Sequence, residues 1–236
     1  MRRTAAAALA ALLLPSCHGR EPQPTQHDAA TRRPLALLTG LPLAFGEGFR
    51  LNAPKHPLMA RLERDYRVEL IDGPEQLGRT KLLLAAQPRA LTAERLVALD
   101  RWVRGGGRLL LLADPQLNWP TDLPLGDPQR PPYEFADTGM LRHWGLQLNS
   151  PTRSGPVMGR LAGREILTAS SGTLHGTGVE CAVEAAGLVA RCRLGRGRAT
   201  VIADADFVQV GVPGGLDGPT ENNLEALLAE LDGLAR

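Results

Sequence analysis

Three aspartates, Asp114, Asp204 and Asp206, stand directly after two apolar runs, RLLLLA at 108–113 and TVIA at 200–203. If those runs are neighbouring strands, the carboxylates converge on one edge, where they can hold a cation, a sugar hydroxyl or a water. Aspartates at strand ends also accept backbone N–H groups from the turns that follow. With no third ligand type beside them, capping is the preferred reading, and neither a metal nor a cofactor is expected. A second constellation is Ser170, Ser171, Thr173 and His175 in SSGTLHGTG. It lacks the Gly-x-Ser-x-Gly turn that exposes a hydrolase nucleophile after a strand, so a glycine-rich surface loop is expected. The alternative to a binding role is an envelope hydrolase using Asp114, Asp206 and His175, which needs His175 within hydrogen-bond reach of a carboxylate. Gly195-Arg196-Gly197-Arg198 has no helix after it to complete a phosphate cradle and reads as a turn before a strand. His143 is expected at the carboxyl end of a helix.

The three cysteines are Cys17, Cys181 and Cys192. Cys181 and Cys192 are symmetric about Ala186-Gly187, so a two-residue turn there sets them opposite each other in a hairpin. In an oxidising compartment they are expected to form a disulfide. Counting from a two-residue turn puts them at a hydrogen-bonded position, where Cα atoms are further apart. Cys17 closes a leader: Met1-Arg2-Arg3 is a positive start, Thr4 to Leu14 is apolar, and Leu14-Pro15-Ser16-Cys17 resembles a bacterial lipobox despite its proline. Residues 1–17 are therefore expected to direct export, with lipid on Cys17 anchoring the protein to a membrane. The apolar run is about ten residues long, against about twenty for a spanning helix. His18 to Arg33 is polar, contains two prolines and reads as a disordered tether, which makes His18 and His27 solvated rather than metal ligands.

Residues 34–236 are expected to form one domain. Hydrophobic residues make up 43% and charged residues 22%, as in globular proteins, whereas aromatics at 4% imply an aliphatic core and speak against an aromatic-rich binding face. A formal charge of +2 provides no field for nucleic acid. Short apolar runs follow Pro34 and cover 68–71, 81–86 and 108–113, and helical spacing covers 56–66 and 92–104. Thr92 caps the second helix and Gly105-Gly106-Gly107 ends it. Strand and helix alternate, which predicts an α/β fold with a doubly wound, mostly parallel, flavodoxin- or amidotransferase-like sheet. An irregular loop over 116–134 falls beside the carboxyl ends of the strands, where open α/β sheets bind ligands. A helix is expected from Asp137 to Trp144. Alternating runs at 179–184 and 188–194 add an antiparallel hairpin, and a helix from Glu221 to Leu234 closes the chain.

In order along the chain, LTAERLVALDRWVRGGGRLLLLADP, LRHWGLQL, ADADF and NNLEALLAEL resemble the ABC-transport auxiliary family, which includes gliding-motility-type accessory proteins. The resemblance spans roughly Leu82 to Leu231. It implies a class I glutamine amidotransferase-like domain outside the cytoplasm, working with separate envelope or ABC-transporter subunits. Catalytic amidotransferases carry a nucleophilic cysteine at a strained turn between a strand and a helix. The matching turn here holds Asp114 and Pro115, so the resemblance implies the fold without the glutaminase chemistry.

Overall fold

Strands apolar at every position must be covered on both faces, and the central strands of this chain have that pattern. The computed structural model describes residues 32–46 and 55–236. The leader with Cys17, the tether to Thr31 and residues 47–54 lie outside the described residues. In chain order the strands of the main sheet are β1 (Arg33–Thr39), β2 (Tyr66–Leu70), β3 (Leu82–Ala86), β4 (Arg108–Leu112), β9 (Cys181–Glu184), β10 (Val189–Leu194) and β11 (Gly197–Ile202). The sheet runs β2-β1-β3-β4-β11-β10-β9. Its first five strands are mutually parallel, and β10 and β9 are antiparallel additions. β3 is buried along its whole length.

Period-two alternation divides the core into two layers. Leu35, Leu37, Leu84 and Leu110 pack with Leu58 and Leu62 of α1 (Pro57–Asp65) and with Leu227 and Leu231 of α4 (Asn223–Ala235). Ala36, Leu83, Leu109 and Leu111 pack with Leu99 and Val103 of α2 (Ala93–Arg104) and with Leu141 of α3 (Met140–His143). The chain is therefore an α/β protein with a mostly parallel sheet covered on both sides.

Local signals set the helix starts. Thr92 accepts the backbone N–H of Arg95, and Gly105 follows the last residue of α2. At α1 the cap is an imidazole: Nδ1 of His56 accepts the N–H of Leu58 at 3.1 Å, and Pro57 fills the first helical position. The expected helix from Asp137 to Trp144 is confined to Met140–His143, because Gly139 has φ 102° and Gly145 has φ 73° on either side. Between α3 and β9 the chain forms two small antiparallel pairs. β5 (Leu146–Asn149) pairs with β8 (Thr173–Gly176), and β6 (Pro156–Leu161) pairs with β7 (Arg164–Ala169).

The hairpin differs from expectation in its turn. Val189 pairs with Glu184, which leaves Ala185–Leu188 as a four-residue loop in place of the expected two-residue turn. Ala185, Ala186 and Gly187 adopt left-handed conformations there. Widening the loop by one residue on each side keeps Cys181 opposite Cys192 but reverses the alternation of hydrogen bonding. The bond from Arg193 N–H to Glu180 O (2.8 Å) belongs to the next pair out, so the cysteines occupy a non-hydrogen-bonded position. Their Cα atoms are only 4.0 Å apart, and the two are joined as a disulfide. Such a bond belongs to oxidising compartments. Among the described residues no helix is long and apolar enough to cross a membrane. Replacing both cysteines in Cys181→Ala/Cys192→Ala is expected to lower stability by about 2 to 3 kcal/mol, read from the urea midpoint. An unchanged midpoint contradicts a formed bond.

Candidate functional site

Parallel pairing of Leu112 with Ile202 places Asp114 and Asp204, each two residues further on, at the same edge of neighbouring strands. Asp206 begins a 3-10 turn, Asp206–Val208, immediately beyond. The structure thus brings together all three aspartates singled out in the sequence. One carboxylate oxygen from each lies within 4.8 Å of the others, a spacing that a cation could bridge. All three residues are 0% exposed, and that burial decides their chemistry.

Each carboxylate is occupied with holding a loop. Asp114 accepts the N–H of Gln116 and that of Ala205, both at 2.8 Å. Asp204 accepts from Phe207 at 2.8 Å and from Ala169, at the end of β7, at 3.3 Å. Asp206 accepts the backbone N–H of Asn118 at 3.0 Å, its side-chain amide at 3.0 Å, and the amide of Gln209. Long irregular segments bury backbone donors that have no helix or sheet partner, and these acceptors satisfy several of them. Gln87, absent from the sequence reading, completes the arrangement. Its φ of 43° turns it under β4, where it accepts the N–H of Asp114 (2.9 Å) and donates to Asp114 O (3.0 Å) and Pro132 O (3.3 Å). The loop over 116–134 is therefore stitched to the sheet at both ends.

Removal from water raises all three carboxyl pKa values, and the carboxylates repel one another. Asp114 is pushed up to about 6 by burial, against backbone hydrogen bonds that favour its charged form. Asp206 is pushed up to about 7 by burial and then by the charge of Asp114. Asp204 is held well above the ordinary carboxylate range by burial, then by Asp114 and Asp206.

Beside this knot lies a cleft of about 500 Å³ lined by His56, Trp119, Thr121, Asp122 and Val212. The rings of His56 and Trp119 are 5.6 Å apart. Burial pushes His56 down to about 4, so the imidazole is neutral at pH 7. Because Nδ1 accepts a hydrogen bond, the ring proton is assigned to Nε2, which is buried and has no partner among the described residues. Neither residue was singled out in the sequence. Trp119 sits in a loop without periodicity, and the position of His56 just before a proline and an apolar helical stripe was its only signal.

Other candidates lie elsewhere. Ser170 is buried with φ 51°, and its Oγ accepts the N–H of Gly155 at 3.0 Å, a turn-forming role. His175 is an exposed residue of β8 paired with Gln147, and it shares no hydrogen bond with Asp114 or Asp206. His143 is exposed, 3.7 Å from Asp100. Asp114 does not have the left-handed φ of a nucleophile turn.

No family model matches the chain, and no curated protein is similar to it in sequence. Among solved structures the chain is similar to a cytoplasmic protein from Salmonella typhimurium, with 7% identity and a TM-score of 0.50, covering 86% of this chain and 98% of that one. It is similar to a β-galactosidase from Bacillus circulans at 14% identity and a TM-score of 0.50, covering 86% of this chain but 31% of the enzyme. A protein from Bacteroides uniformis described as ThuA-like has 10% identity and a TM-score of 0.47, with 90% and 95% covered. These likenesses concern the fold alone.

The carboxyl shifts fix a pH dependence. Asp206 folded titrates at about 7, against an ordinary value of 3.8, so the folded state holds the extra proton between these limits. Its contribution is intact below pH 3.8 and is lost as pH rises through about 7, with a full span on the order of 4 kcal/mol. His56 acts oppositely between about 4 and 6.5, so the comparison is made against a variant in which that contribution cancels. Asp206→Asn is expected to gain stability relative to the parent as pH rises from 5 to 7.5 in urea unfolding. A relative loss over that range contradicts the shift.

Proposed function

We propose that this is a non-catalytic accessory domain outside the cytoplasm, binding a small ligand or partner at the carboxyl edge of its sheet. Lipid on Cys17 holds it to a membrane, and separate subunits of an ABC transport system are its partners. The observation that supports this most is the use made of Asp114, Asp204 and Asp206. Their oxygens accept backbone and amide N–H groups from the loops that wall the cleft, so the carboxyls shape a binding surface. The cleft is walled by the largely buried Trp119 and His56, whose Nε2 is enclosed without a partner, and by Thr121 and Asp122, a lining of mixed polarity suited to a ligand with one apolar side. The disulfide and the lipobox-like LPSC sequence agree with work in the envelope.

Expressed with its own leader in a bacterial host, the protein is expected to begin at Cys17 with added acyl mass and to fractionate with membranes. Cys17→Ser is expected to lose both properties. Trp119→Ala is expected to keep the lipid but lose cross-links, formed through the cleft, to membrane-embedded subunits. An unprocessed chain in the cytosol contradicts the envelope role, and wild-type cross-linking by Trp119→Ala contradicts use of the cleft.

A further inference from the structure

Parallel strands all begin at one edge, so whatever precedes them in sequence collects there. In this chain cations stand at the start of four of the strands: Arg33 opens β1, Lys81 precedes β3, Arg108 opens β4 and Arg198 is the second residue of β11. Arg108 is in register with both Leu82 and Arg198, which sets these charges side by side. Arg79 and the turn residue Arg196 join them around a basin of about 660 Å³, lined by Arg33, Arg79, Lys81, Arg108 and Arg196. This is the amino edge of the sheet, opposite the carboxylate knot.

The charges are poorly compensated. Arg33 pairs with Asp232. Among the described residues Arg79, Lys81, Arg108, Arg196 and Arg198 form no ion pair. Arg108 donates to Arg196 O and Arg196 donates to Gly105 O, contacts that fix the guanidiniums without neutralising them. Burial and the neighbouring charge of Arg198 both work against the charged form of Arg108. The whole sequence carries only +2, so this is a local concentration and not a generally basic surface.

We propose that the basin docks on the anionic phospholipid headgroups of a membrane surface, its guanidinium groups and Lys81 binding their phosphates. Charge complementarity argues for that occupant, since basic clusters are drawn to anionic leaflets and guanidinium pairs with phosphate through two hydrogen bonds. The entry of the chain argues for it as well. Arg33, the first residue of β1, lines the basin, so the chain that would carry the proposed lipid enters the sheet at the edge that carries the charges. That link to the membrane rests on the proposed anchor, whereas headgroup binding is testable without it.

The test is vesicle flotation of the full-length chain carrying Cys17→Ser, using phosphatidylglycerol with phosphatidylcholine and, separately, phosphatidylcholine alone. Affinity is expected to be at least tenfold higher for the anionic vesicles and to vanish at high salt. Arg79→Gln/Lys81→Gln changes two exposed side chains without touching the core, and Lys81→Gln/Arg108→Gln/Arg196→Gln removes the centre of the basin. Both are expected to abolish the preference. Arg142→Gln/Arg153→Gln/Arg164→Gln removes as much charge elsewhere as the triple variant and is expected to retain it. Equal binding to both vesicles, persistence in the basin variants or loss in the control overturns the proposal. So does calorimetric binding of inorganic phosphate without preference for anionic vesicles, which assigns the basin to a soluble anion. Because lipid on Cys17 is absent throughout, failure here leaves the anchor to its own test by mass.

Discussion

The arrangement at the carboxyl edge depends on one constraint: backbone donors in buried loops must find acceptors. The segments after β4 and β11 leave the sheet without entering helices, and their N–H groups have no ladder to join. Asp114, Asp204 and Asp206 supply acceptors from fixed positions at the strand ends. Crowding three carboxyls away from water raises their pKa values, so they keep a proton to higher pH than exposed carboxyls do. The proton reduces the repulsion, and the loops stay where the cleft requires them.

The same topology gives the domain opposite chemical ends. Parallel pairing gathers carboxyls at one edge and guanidiniums at the other, because strand starts and strand ends cannot mix in such a sheet. Burial settles the difference in behaviour. The carboxyls are enclosed and hydrogen-bonded, whereas the guanidiniums line an open basin with few anionic neighbours. One end is thereby suited to building a pocket and the other to meeting external charge.

Much of the architecture was legible in the sequence because it rests on period. The continuous runs at 82–86 and 108–112 became the buried strands, the stripe containing Leu99 and Val103 became the buried face of α2, and Asp114 and Asp204 fell at the same edge as expected. The symmetry of Cys181 and Cys192 gave their partnership but not the parity of hydrogen bonding, which depends on whether the loop contains two residues or four. The cleft was not legible. Trp119 lies in an irregular loop, and His56 acquires its role only when α1 docks beside that loop. A low aromatic content counted against an aromatic binding face, yet one well-placed indole lines the cleft. Gln87 was invisible for a similar reason, since its left-handed backbone and the three hydrogen bonds of its side chain arise from tertiary contact.

Three buried carboxyls that hold loops through accepted N–H groups must titrate above the ordinary carboxylate range. The carbon-13 titration of aspartate side chains, followed by NMR with and without magnesium, tests it most directly. The expected midpoints are about 6 for Asp114 and about 7 for Asp206, with Asp204 raised well above the ordinary carboxylate range by burial, and no response to the cation. Midpoints near the ordinary value of 3.8, or deprotonation of all three on adding magnesium, contradict it and make the cluster a metal site.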